Sequence, residues 1–519
     1  MLSFKKMNKL LLGSIVLFLL IGCKQSVPTN SAITSPMNEN KNLGIFENQT
    51  NVGHPEIHGS VHYNDDTQEY ILKGSGINMW ANNDQFQFLY KSIQGDFIVR
   101  ARMKFIGEGV DPHRKIGWIV RNSLNGDAPH VNATVHGDGL TSLQYRATIG
   151  GKTKEVVSID KAPDVIQLER QGDTYFMSTA KFGEPFTTVQ LKDLELKNEV
   201  FIGLYVCAHN KDVIEEAIFS NVRIIKPAAP DFEPYRDYLG SNLEIMNVIS
   251  GHRKLLFQSA HSLQAPNWVD NDKELVYNSN GFLYSYNIDN KSVAQINTGF
   301  ANNNNNDHVF SFDEKILGIS HHNSDDQNDS SIYIMEPKGD SLPRKITKDG
   351  IGASYLHGIS PDNKTLIYTA NRNGKYDLFS IDVDTREEIQ LTDTKDLDDG
   401  SEYSPDGKYI YFNSNRTGNM QLWRMNSDGS NPEQLTFDTD FKDWFPHVSP
   451  DGKWIAFISF PPSINFGEHP FYKHCTLRLM PSNGGEPKII AYIYGGQGSI
   501  NVPSWSKDSK HIAFVTNSN

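Results

Sequence analysis

The chain has 519 residues, a formal net charge of −13 and only three cysteines, with 40 glycines, 24 prolines and 11% aromatic residues. This length favours two domains, and the turn-rich, aromatic composition favours an all-β fold over a helical one. The negative charge argues against a nucleic-acid partner and against a polybasic membrane-binding face. Because the cysteines lie far apart, no disulfide framework is expected, and Cys207 and Cys475 are predicted to be buried free thiols.

Residues 1–22 have the pattern of a secretory signal peptide. Three lysines precede an apolar run from Leu10 to Ile21, which is too short for a membrane-spanning helix. The run ends in Leu-Ile-Gly-Cys, which resembles a bacterial lipobox and implies cleavage before Cys23 and lipidation of its sulfur. Residues 23–44 are then a flexible tether, and Lys24 favours the outer membrane by resemblance to lipoprotein sorting. An ordinary signal peptide with an incidental cysteine is the alternative.

Residues 45–226 contain many segments in which apolar and polar residues alternate. Clear examples are 96–102, 115–121 and 165–170, and turn signals separate them at short intervals. This pattern predicts a β-sandwich. The stretch 201–222 resembles the closing strands of concanavalin-like jelly-roll domains, which implies a role in carbohydrate binding or in packing. Residues 227–241 begin with a proline-rich segment and are predicted to be a linker.

A hairpin pattern repeats about every 40 to 50 residues in the second half of the chain, which indicates a propeller or a solenoid. Its clearest copy, 399–414, places the turn Ser-Pro-Asp-Gly between two short strands. The other copies are 266–279, 307–320, 356–370, 446–459 and 503–516. Two further strand-like segments follow five of the six copies, so each of those units has the four strands of a propeller blade.

The last copy lacks its two outer strands, and the segment 242–259 has the pattern to supply them. The two chain ends would then close a sixth blade and remove the exposed edge strands. We therefore predict a six-bladed β-propeller over 242–519.

The Ser-Pro-Asp-Gly turns, the Leu-Thr ends of the blades and the number of blades resemble TolB-like propellers built of PD40 repeats. This resemblance covers about half of the chain and implies the propeller fold. TolB itself carries an α/β partner domain, whereas a β-sandwich is predicted here. That difference argues against a role in a Tol–Pal-type envelope complex.

Propeller topology places the Ser-Pro-Asp-Gly turns at one face and gathers many polar residues at a funnel on the other. Histidines and carboxylates in such a funnel suit general acid–base chemistry or a divalent metal such as Mn²⁺, Zn²⁺ or Ca²⁺. The candidate catalytic residues are His308, His357, Asp399, Glu402 and His447. The candidate substrate-binding residues are Asn306, Asp307, His322, Trp444, Gln497 and Asn501. His469 follows in a long loop at the same rim.

The positions of the catalytic candidates differ relative to the turn. His308 and His357 share one position, whereas Glu402 and His447 lie one residue later. In regular strands the two pairs would point to opposite faces. Their convergence therefore requires a β-bulge or a loop at the start of the strand.

The histidine-rich rim also resembles that of oligogalacturonate lyases, which hold a metal through histidines and a glutamine. This resemblance implies metal-ligand roles for His308, His357, His447 and Gln497, with the metal acidifying a uronate for β-elimination. Those lyases have seven blades, and no catalytic base is transferred from them.

Together these observations lead to the hypothesis of a monomeric, lipid-anchored envelope protein whose propeller funnel binds and cleaves an oligo- or polysaccharide, as a metal-assisted lyase or a hydrolase. The sandwich would aid glycan binding. The alternatives are a non-catalytic propeller scaffold that binds a protein and a lipoprotein that binds glycan without turnover. The missing catalytic dyad keeps both open.

Overall fold

The computed structural model describes residues 42–233, 236–324, 327–339 and 341–518. These residues form strands, turns and loops without an α-helix, which confirms the all-β prediction. Within the same ranges, no helix has the length and apolar character needed to cross a membrane. The predicted signal peptide, the lipidation site Cys23 and most of the predicted tether lie outside the described residues.

The first fourteen described strands form two antiparallel sheets of seven strands each. They are β1 (Asn48–Val52), β2 (Ser60–Asn64), β3 (Glu69–Gly76), β4 (Phe86–Gln94), β5 (Phe97–Ile106), β6 (Lys115–Arg121), β7 (His130–His136), β8 (Thr141–Arg146), β9 (Lys154–Val157), β10 (Val165–Gln171), β11 (Thr174–Ala180), β12 (Thr187–Leu191), β13 (Glu199–Cys207) and β14 (Asn210–Ile225). In space, one sheet runs β1-β4-β13-β6-β7-β8-β9 and the other β12-β11-β10-β5-β14-β3-β2.

One apolar core joins the inner faces of these two sheets. It includes Trp118 of β6 from the first sheet and Phe97 of β5 from the second, both fully buried. Burial of such large aromatic side chains between two sheets is the main stabilising contact of a β-sandwich. The likeness of this sandwich to concanavalin-like domains stays a prediction.

The remaining described strands form the blades of a propeller. They are β15 (Ser241–Asn247), β16 (Arg253–Ser259), β17 (Gln264–Val269), β18 (Glu274–Ser279), β19 (Phe282–Asn287), β20 (Val293–Gln295), β21 (Asn304–Phe310), β22 (Leu317–His322), β23 (Ser330–Met335), β24 (Arg344–Lys345), β25 (Ser354–Ile359), β26 (Thr365–Arg372), β27 (Lys375–Asp382), β28 (Glu388–Gln390), β29 (Asp398–Tyr403), β30 (Tyr409–Ser414), β31 (Gln421–Asn426), β32 (Glu433–Gln434), β33 (Lys442–Val448), β34 (Trp454–Phe460), β35 (Lys473–Pro481), β36 (Lys488–Gly495) and β37 (His511–Asn517).

Five blades are continuous in sequence, and the sixth is closed by both ends of the propeller. The first five run β17–β20, β21–β24, β25–β28, β29–β32 and β33–β36 from the inside outward. In the sixth, β37 pairs with β15, which pairs with β16, and Trp505 bridges Ile512 on the inner side. The six-bladed architecture is therefore confirmed.

In five of the six blades, blades 2 to 6, the turn between the first two strands is held by a repeated serine–aspartate contact. In blade 4 the Ser404 hydroxyl donates to Asp406 at 2.7 Å and accepts from the Tyr409 N–H at 3.0 Å. The corresponding serine–aspartate contacts span 2.6 Å in blade 3 (Ser360–Asp362), 2.6 Å in blade 5 (Ser449–Asp451) and 2.7 Å in blade 6 (Ser506–Asp508). This local network explains why the turn sequence repeats, and it is structural.

The residues from Leu43 onward form one compact unit, in which the sandwich and the sixth blade share buried ion pairs. Arg223 of β14 donates to Glu244 of β15 at 2.5 Å, and Arg253 of β16 donates to the same carboxylate at 2.8 Å. Burial raises the pKa of Glu244, but the two guanidinium groups outweigh this effect and lower it to about 2. The domain limits 45–226 and 242–519, and the linker between them, stay predictions.

Candidate functional site in the propeller funnel

A cavity of about 720 Å³ opens at the end of the propeller where the inner strands begin. We call it the funnel cavity. Each blade contributes to its wall, and one residue from each blade in turn is Gln264, Asp307, His357, Asp399, Phe445 and Asn501. The wall combines side-chain amides, two carboxylates, three imidazoles and several aromatic rings. This is the composition of a site for a polar ligand.

A β-bulge at the start of the inner strand decides which residues of blades 4 and 5 face the funnel cavity. The strand register shifts between Asp399 and Glu402 in blade 4, and between Trp444 and His447 in blade 5. The bulged residues Gly400 and Phe445 have positive φ angles of 63° and 55°. Because a bulge turns the residues on its two sides to different faces, Asp399 lines the cavity and Glu402 does not.

The left-handed backbone is expected for Gly400 but is strained for an aromatic residue such as Phe445. A Cβ at Gly400 would lie 2.5 Å from Asn413 Oδ1 and 2.9 Å from a carbon of the Phe445 ring. Glycine is therefore required beside Asp399. The same Asn413 Oδ1 accepts from the Phe445 N–H at 3.0 Å, which ties the two bulges together.

The central feature of the funnel cavity is a histidine–aspartate pair from adjacent blades. Nε2 of His357 donates to Oδ1 of Asp399 at 3.1 Å, and the same oxygen accepts from the Thr369 hydroxyl at 2.6 Å and the Gly400 N–H at 2.8 Å. Burial raises the pKa of Asp399, but the bond from His357 and its charge prevail and lower it to about 2. Burial lowers the pKa of His357, whereas Asp399 and the Asp307 charge raise it on balance.

Two further titratable groups border this pair. Burial raises the pKa of Asp307 to about 6, and the Asp399 charge adds to the rise while His357 opposes it. Burial lowers the pKa of His469, whose ring packs against Trp444 in a tilted arrangement with centroids 4.3 Å apart. The cavity therefore holds one carboxylate that stays ionised and one that titrates close to neutral pH.

A second histidine–carboxylate pair lies outside the funnel cavity. His447 Nδ1 lies 2.6 Å from the Glu402 carboxylate, and its Nε2 donates to the Ile500 carbonyl at 2.7 Å. The other oxygen of Glu402 accepts from the Val448 N–H at 3.1 Å. Both ring nitrogens of His447 are thus occupied by protein groups, and the pair cross-links blades 4, 5 and 6.

The structure separates the sequence-predicted site residues into two groups. Seven line the funnel cavity: Asn306, Asp307, His322, His357, Asp399, Gln497 and Asn501. The other four, His308, Glu402, Trp444 and His447, do not line it and are buried. The catalytic and substrate-binding roles of all eleven residues stay predictions.

The predicted metal ligands do not form a ligand set. His357 and Gln497 line the funnel cavity, whereas His308 and His447 do not, and both nitrogens of His447 are already occupied. Throughout the described ranges, no three His, Cys, Asp or Glu residues are grouped as metal ligands. The residues present therefore do not fit the predicted Mn²⁺, Zn²⁺ or Ca²⁺ site.

Several lining residues escaped the sequence prediction. Tyr355, Thr369, Tyr376 and Phe445 also line the cavity. Tyr355 and Thr369 lie inside strands whose alternation indicates only sheet packing, and the positive φ of Phe445 has no signal in the sequence. Tyr376 follows the Asn-Gly turn of the β26–β27 hairpin, and that turn was the one available hint that this side chain lies at a rim.

Comparison with known proteins supports the fold assignment. The family profile of the TolB β-propeller domain matches residues 344–472. An uncharacterised protein of Agrobacterium fabrum is 38% identical over 276 residues, which are 53% of this chain and 92% of that protein. A solved structure from Agrobacterium tumefaciens, provisionally described as TolB, is 37% identical with a TM-score of 0.51, over 55% of this chain and 100% of that chain.

A weaker similarity exists to an oligogalacturonate lyase solved in complex with manganese. It is 12% identical with a TM-score of 0.34, over 45% of this chain and 66% of that chain. At this level we draw no inference from it.

Proposed function

The chain belongs to the TolB-like β-propeller family, and we propose that it binds a saccharide in the funnel cavity of that propeller without cleaving it. The observation that carries this proposal is the cavity wall, which combines side-chain amides with aromatic rings. Sugar hydroxyls need both donors and acceptors, which amides such as those of Asn306 and Asn501 supply. The apolar faces of sugar rings pack on aromatic rings such as that of Tyr355.

The size of the funnel cavity agrees with this proposal. A volume of about 720 Å³ lies within the range of about 300–1,000 Å³ typical of small-ligand pockets and accommodates a short oligosaccharide. The amides of Asn278 and Asn304 are partly used to hold the wall itself, since the Asn278 side chain donates to the Asn304 backbone carbonyl at 3.0 Å and the Asn304 side chain donates to the Ala301 backbone carbonyl at 2.8 Å. A wall fixed in this way is preorganised for its ligand.

A glycan array probed with the purified full chain tests this proposal, followed by titration calorimetry with the best ligand. We expect Tyr355→Ala to weaken binding about fivefold, because it removes a stacking surface worth about 1 kcal/mol. The matched control is Trp454→Ala, which removes an exposed aromatic side chain next to the Ser449–Gly452 turn, outside the funnel cavity. Equal affinity in wild type and Tyr355→Ala, or no glycan bound at all, would contradict the proposal.

Turnover of the bound saccharide is a second candidate function. It is favoured by the divergent pKa values of the two funnel carboxylates, about 2 for Asp399 and about 6 for Asp307. Such a separation supplies one ionised and one protonatable carboxyl group, as acid–base cleavage requires. Mass spectrometry of array-positive oligosaccharides after prolonged incubation distinguishes the two functions. Shorter products from wild type but not from Asp307→Asn would replace the binding proposal with a lyase or hydrolase.

The sandwich is proposed to assist glycan binding through a second cavity. This cavity of about 530 Å³ lies between the sandwich and blade 5, and its wall includes Phe176 and Phe186 of the sandwich and Phe441 of the propeller. Its aromatic character supports the hypothesis that the sandwich contributes to glycan binding. We expect Phe176→Ala to bind long glycans more weakly than the wild type and short glycans equally well. Unchanged affinity for both lengths would contradict this role of the sandwich.

We place the protein in the cell envelope, anchored in the outer membrane by lipid on Cys23. The support is the predicted signal peptide and the lipobox-like segment before Cys23. Metabolic labelling with a palmitate analogue tests this. We expect the wild type to be labelled and found in the membrane fraction, and Cys23→Ser to be unlabelled and absent from that fraction. Labelling that persists in Cys23→Ser would contradict the anchor.

A further inference from the structure

The charges of the funnel cavity are those of a cation site. Among the residues the structure describes, no lysine or arginine lines this cavity, whereas two aspartates do. The carboxylate of Asp399 is compensated by His357 at 3.1 Å and by the Thr369 hydroxyl and Gly400 N–H. The second aspartate, Asp307, has no such set of donors.

Asp307 is 6% exposed and lines the cavity. Its backbone N–H donates to Asn305 Oδ1 at 2.9 Å, but no described residue donates a hydrogen bond to its carboxylate. Its oxygens open onto the cavity, so a ligand that fills the cavity removes them from water, and a carboxylate removed from water without donors is costly when it is ionised. A ligand that brings a positive charge and N–H donors to this point removes that cost, whereas a ligand with its own carboxylate increases it.

We infer that the funnel cavity takes an amino sugar whose ammonium group is held by the Asp307 carboxylate. This inference rests on the proposed function, because it names the class of saccharide that the same cavity binds. It also predicts discrimination against uronates, since an anionic sugar would face two aspartates without a lysine or arginine to receive it. The cavity is thus matched to a ligand of opposite charge from the one that the resemblance to oligogalacturonate lyases implied.

The groups that face Asp307 set the pH dependence of this interaction. They are His357 and Asp399, whose charges act on the Asp307 pKa, and the cavity-lining side chains His322, Tyr355 and His469. Because Asp307 takes up a proton as the pH falls through about 6, its attraction for an ammonium group is lost in acid. Protonation of the imidazoles acts in the same direction.

The test compares two oligosaccharides of equal length, one with free amino groups and one in which every amino group is a neutral acetamide. Calorimetric titration at pH 7.0 of the full chain with glucosamine tetrasaccharide and with its N-acetylated counterpart measures the effect of replacing the amino groups by neutral acetamides, and Asp307→Asn separates the effect of the charge from that of the added acetyl groups. We expect the amino form to bind at least about tenfold more tightly, and this preference to shrink at pH 5. Asp307→Asn should abolish the preference, and the exposed Asp384→Asn should leave it unchanged.

Folding of the key variant is checked separately. Asp307→Asn removes a buried charge that has no donors, so its thermal unfolding midpoint should equal or exceed that of the wild type. If the N-acetylated tetrasaccharide or an oligogalacturonate binds as tightly as the amino form, this inference is overturned while the saccharide proposal stands. If no saccharide of any charge binds, both are overturned. A preference that survives in Asp307→Asn also overturns the inference.

Discussion

Two histidine–carboxylate pairs lie in adjacent blades of the same propeller and differ most in what surrounds them. His357 and Asp399 border the funnel cavity, whereas His447 and Glu402 are enclosed by protein groups. In the enclosed pair the Ile500 carbonyl and the Val448 N–H occupy the remaining bonding positions. The open pair instead borders the cavity, so a ligand can reach His357 and Asp399.

This difference shows that residue type alone does not identify a binding group. Both pairs are buried, and both join a histidine to a carboxylate of the preceding or following blade. The bulges at Gly400 and Phe445 decide which pair meets the ligand space and which holds the blades together. The four substitutions that follow test this distinction in order of decreasing expected effect.

The enclosed pair should contribute most to stability. His447→Ala leaves Glu402 buried without its partner and the Ile500 carbonyl without a donor, so we expect a loss of about 3–5 kcal/mol in the free energy of unfolding. Equilibrium urea unfolding measures it. The control His261→Ala changes an exposed histidine and should cost less than about 0.5 kcal/mol. Similar values for both variants would refute the structural role of His447.

The open pair should contribute less to stability and should do so in a pH-dependent manner. Since the pKa of Asp399 is lowered from 3.8 to about 2, its ionised form stabilises the folded state by about 2 kcal/mol near neutral pH. This contribution is complete above about pH 4, the unfolded value, and is lost as the pH falls toward about 2. Asp399→Asn should therefore differ most from wild type at pH 6, differ less at pH 2.5, and converge with it only below about pH 2.

Unfolding experiments at several pH values check this prediction, with the exposed Asp384→Asn as the matched control. A difference between wild type and Asp399→Asn that is constant across this pH range would contradict the ionised pair.

Much of the fold follows from the sequence, and the reason is local. The Ser404–Asp406 contact recurs in other blades because each turn is specified by its own few residues. The closure of blade 6 was also predictable, because the last repeat lacks two strands and 242–259 matches them. For the site, the sequence places Asp307, His357 and Asp399 at one rim.

The pairing of His447 with Glu402 could not be predicted in the same way. It depends on how far each bulge rotates its strand. Nothing in the sequence indicates the positive φ of Phe445, because aromatic residues rarely adopt this conformation. The wall residue Tyr355 escaped detection for a related reason, because strand alternation does not reveal which end of a strand borders a cavity.

Ligand binding should respond to the open pair and not to the enclosed one. His357→Gln keeps an N–H donor for Asp399 but removes the imidazole from the cavity wall, so we expect saccharide affinity to fall about tenfold, or about 1.4 kcal/mol. Calorimetry measures it. Trp454→Ala again serves as the control that leaves the cavity intact. Unchanged affinity in His357→Gln would show that the pair is structural in both blades.

The smallest expected effect concerns the bulge itself. Gly400 and Gly418 both have a positive φ. In Gly400→Ala the new Cβ would lie too close to Asn413 and Phe445, whereas in Gly418→Ala nothing lies within 4 Å of the new Cβ. Alanine is strained by the left-handed backbone in both variants, so the difference between their free energies of unfolding reports mainly the contacts of the new Cβ. We expect Gly400→Ala to be less stable than Gly418→Ala by about 1 kcal/mol and to bind saccharide more weakly. Equal stability of the two variants would mean that the bulge tolerates a side chain.

The most direct test of the funnel site is to observe the two histidines while ligand is added. Histidine-selective ¹⁵N labelling of the full chain resolves the imidazole signals, and His357→Gln and His447→Gln assign them. On titration with the array-selected saccharide, the signals of His357 and His469 should shift with the calorimetric affinity while those of His447 stay in place. Shifts confined to His447, or to His474 at the second cavity, would contradict the funnel cavity as the binding site.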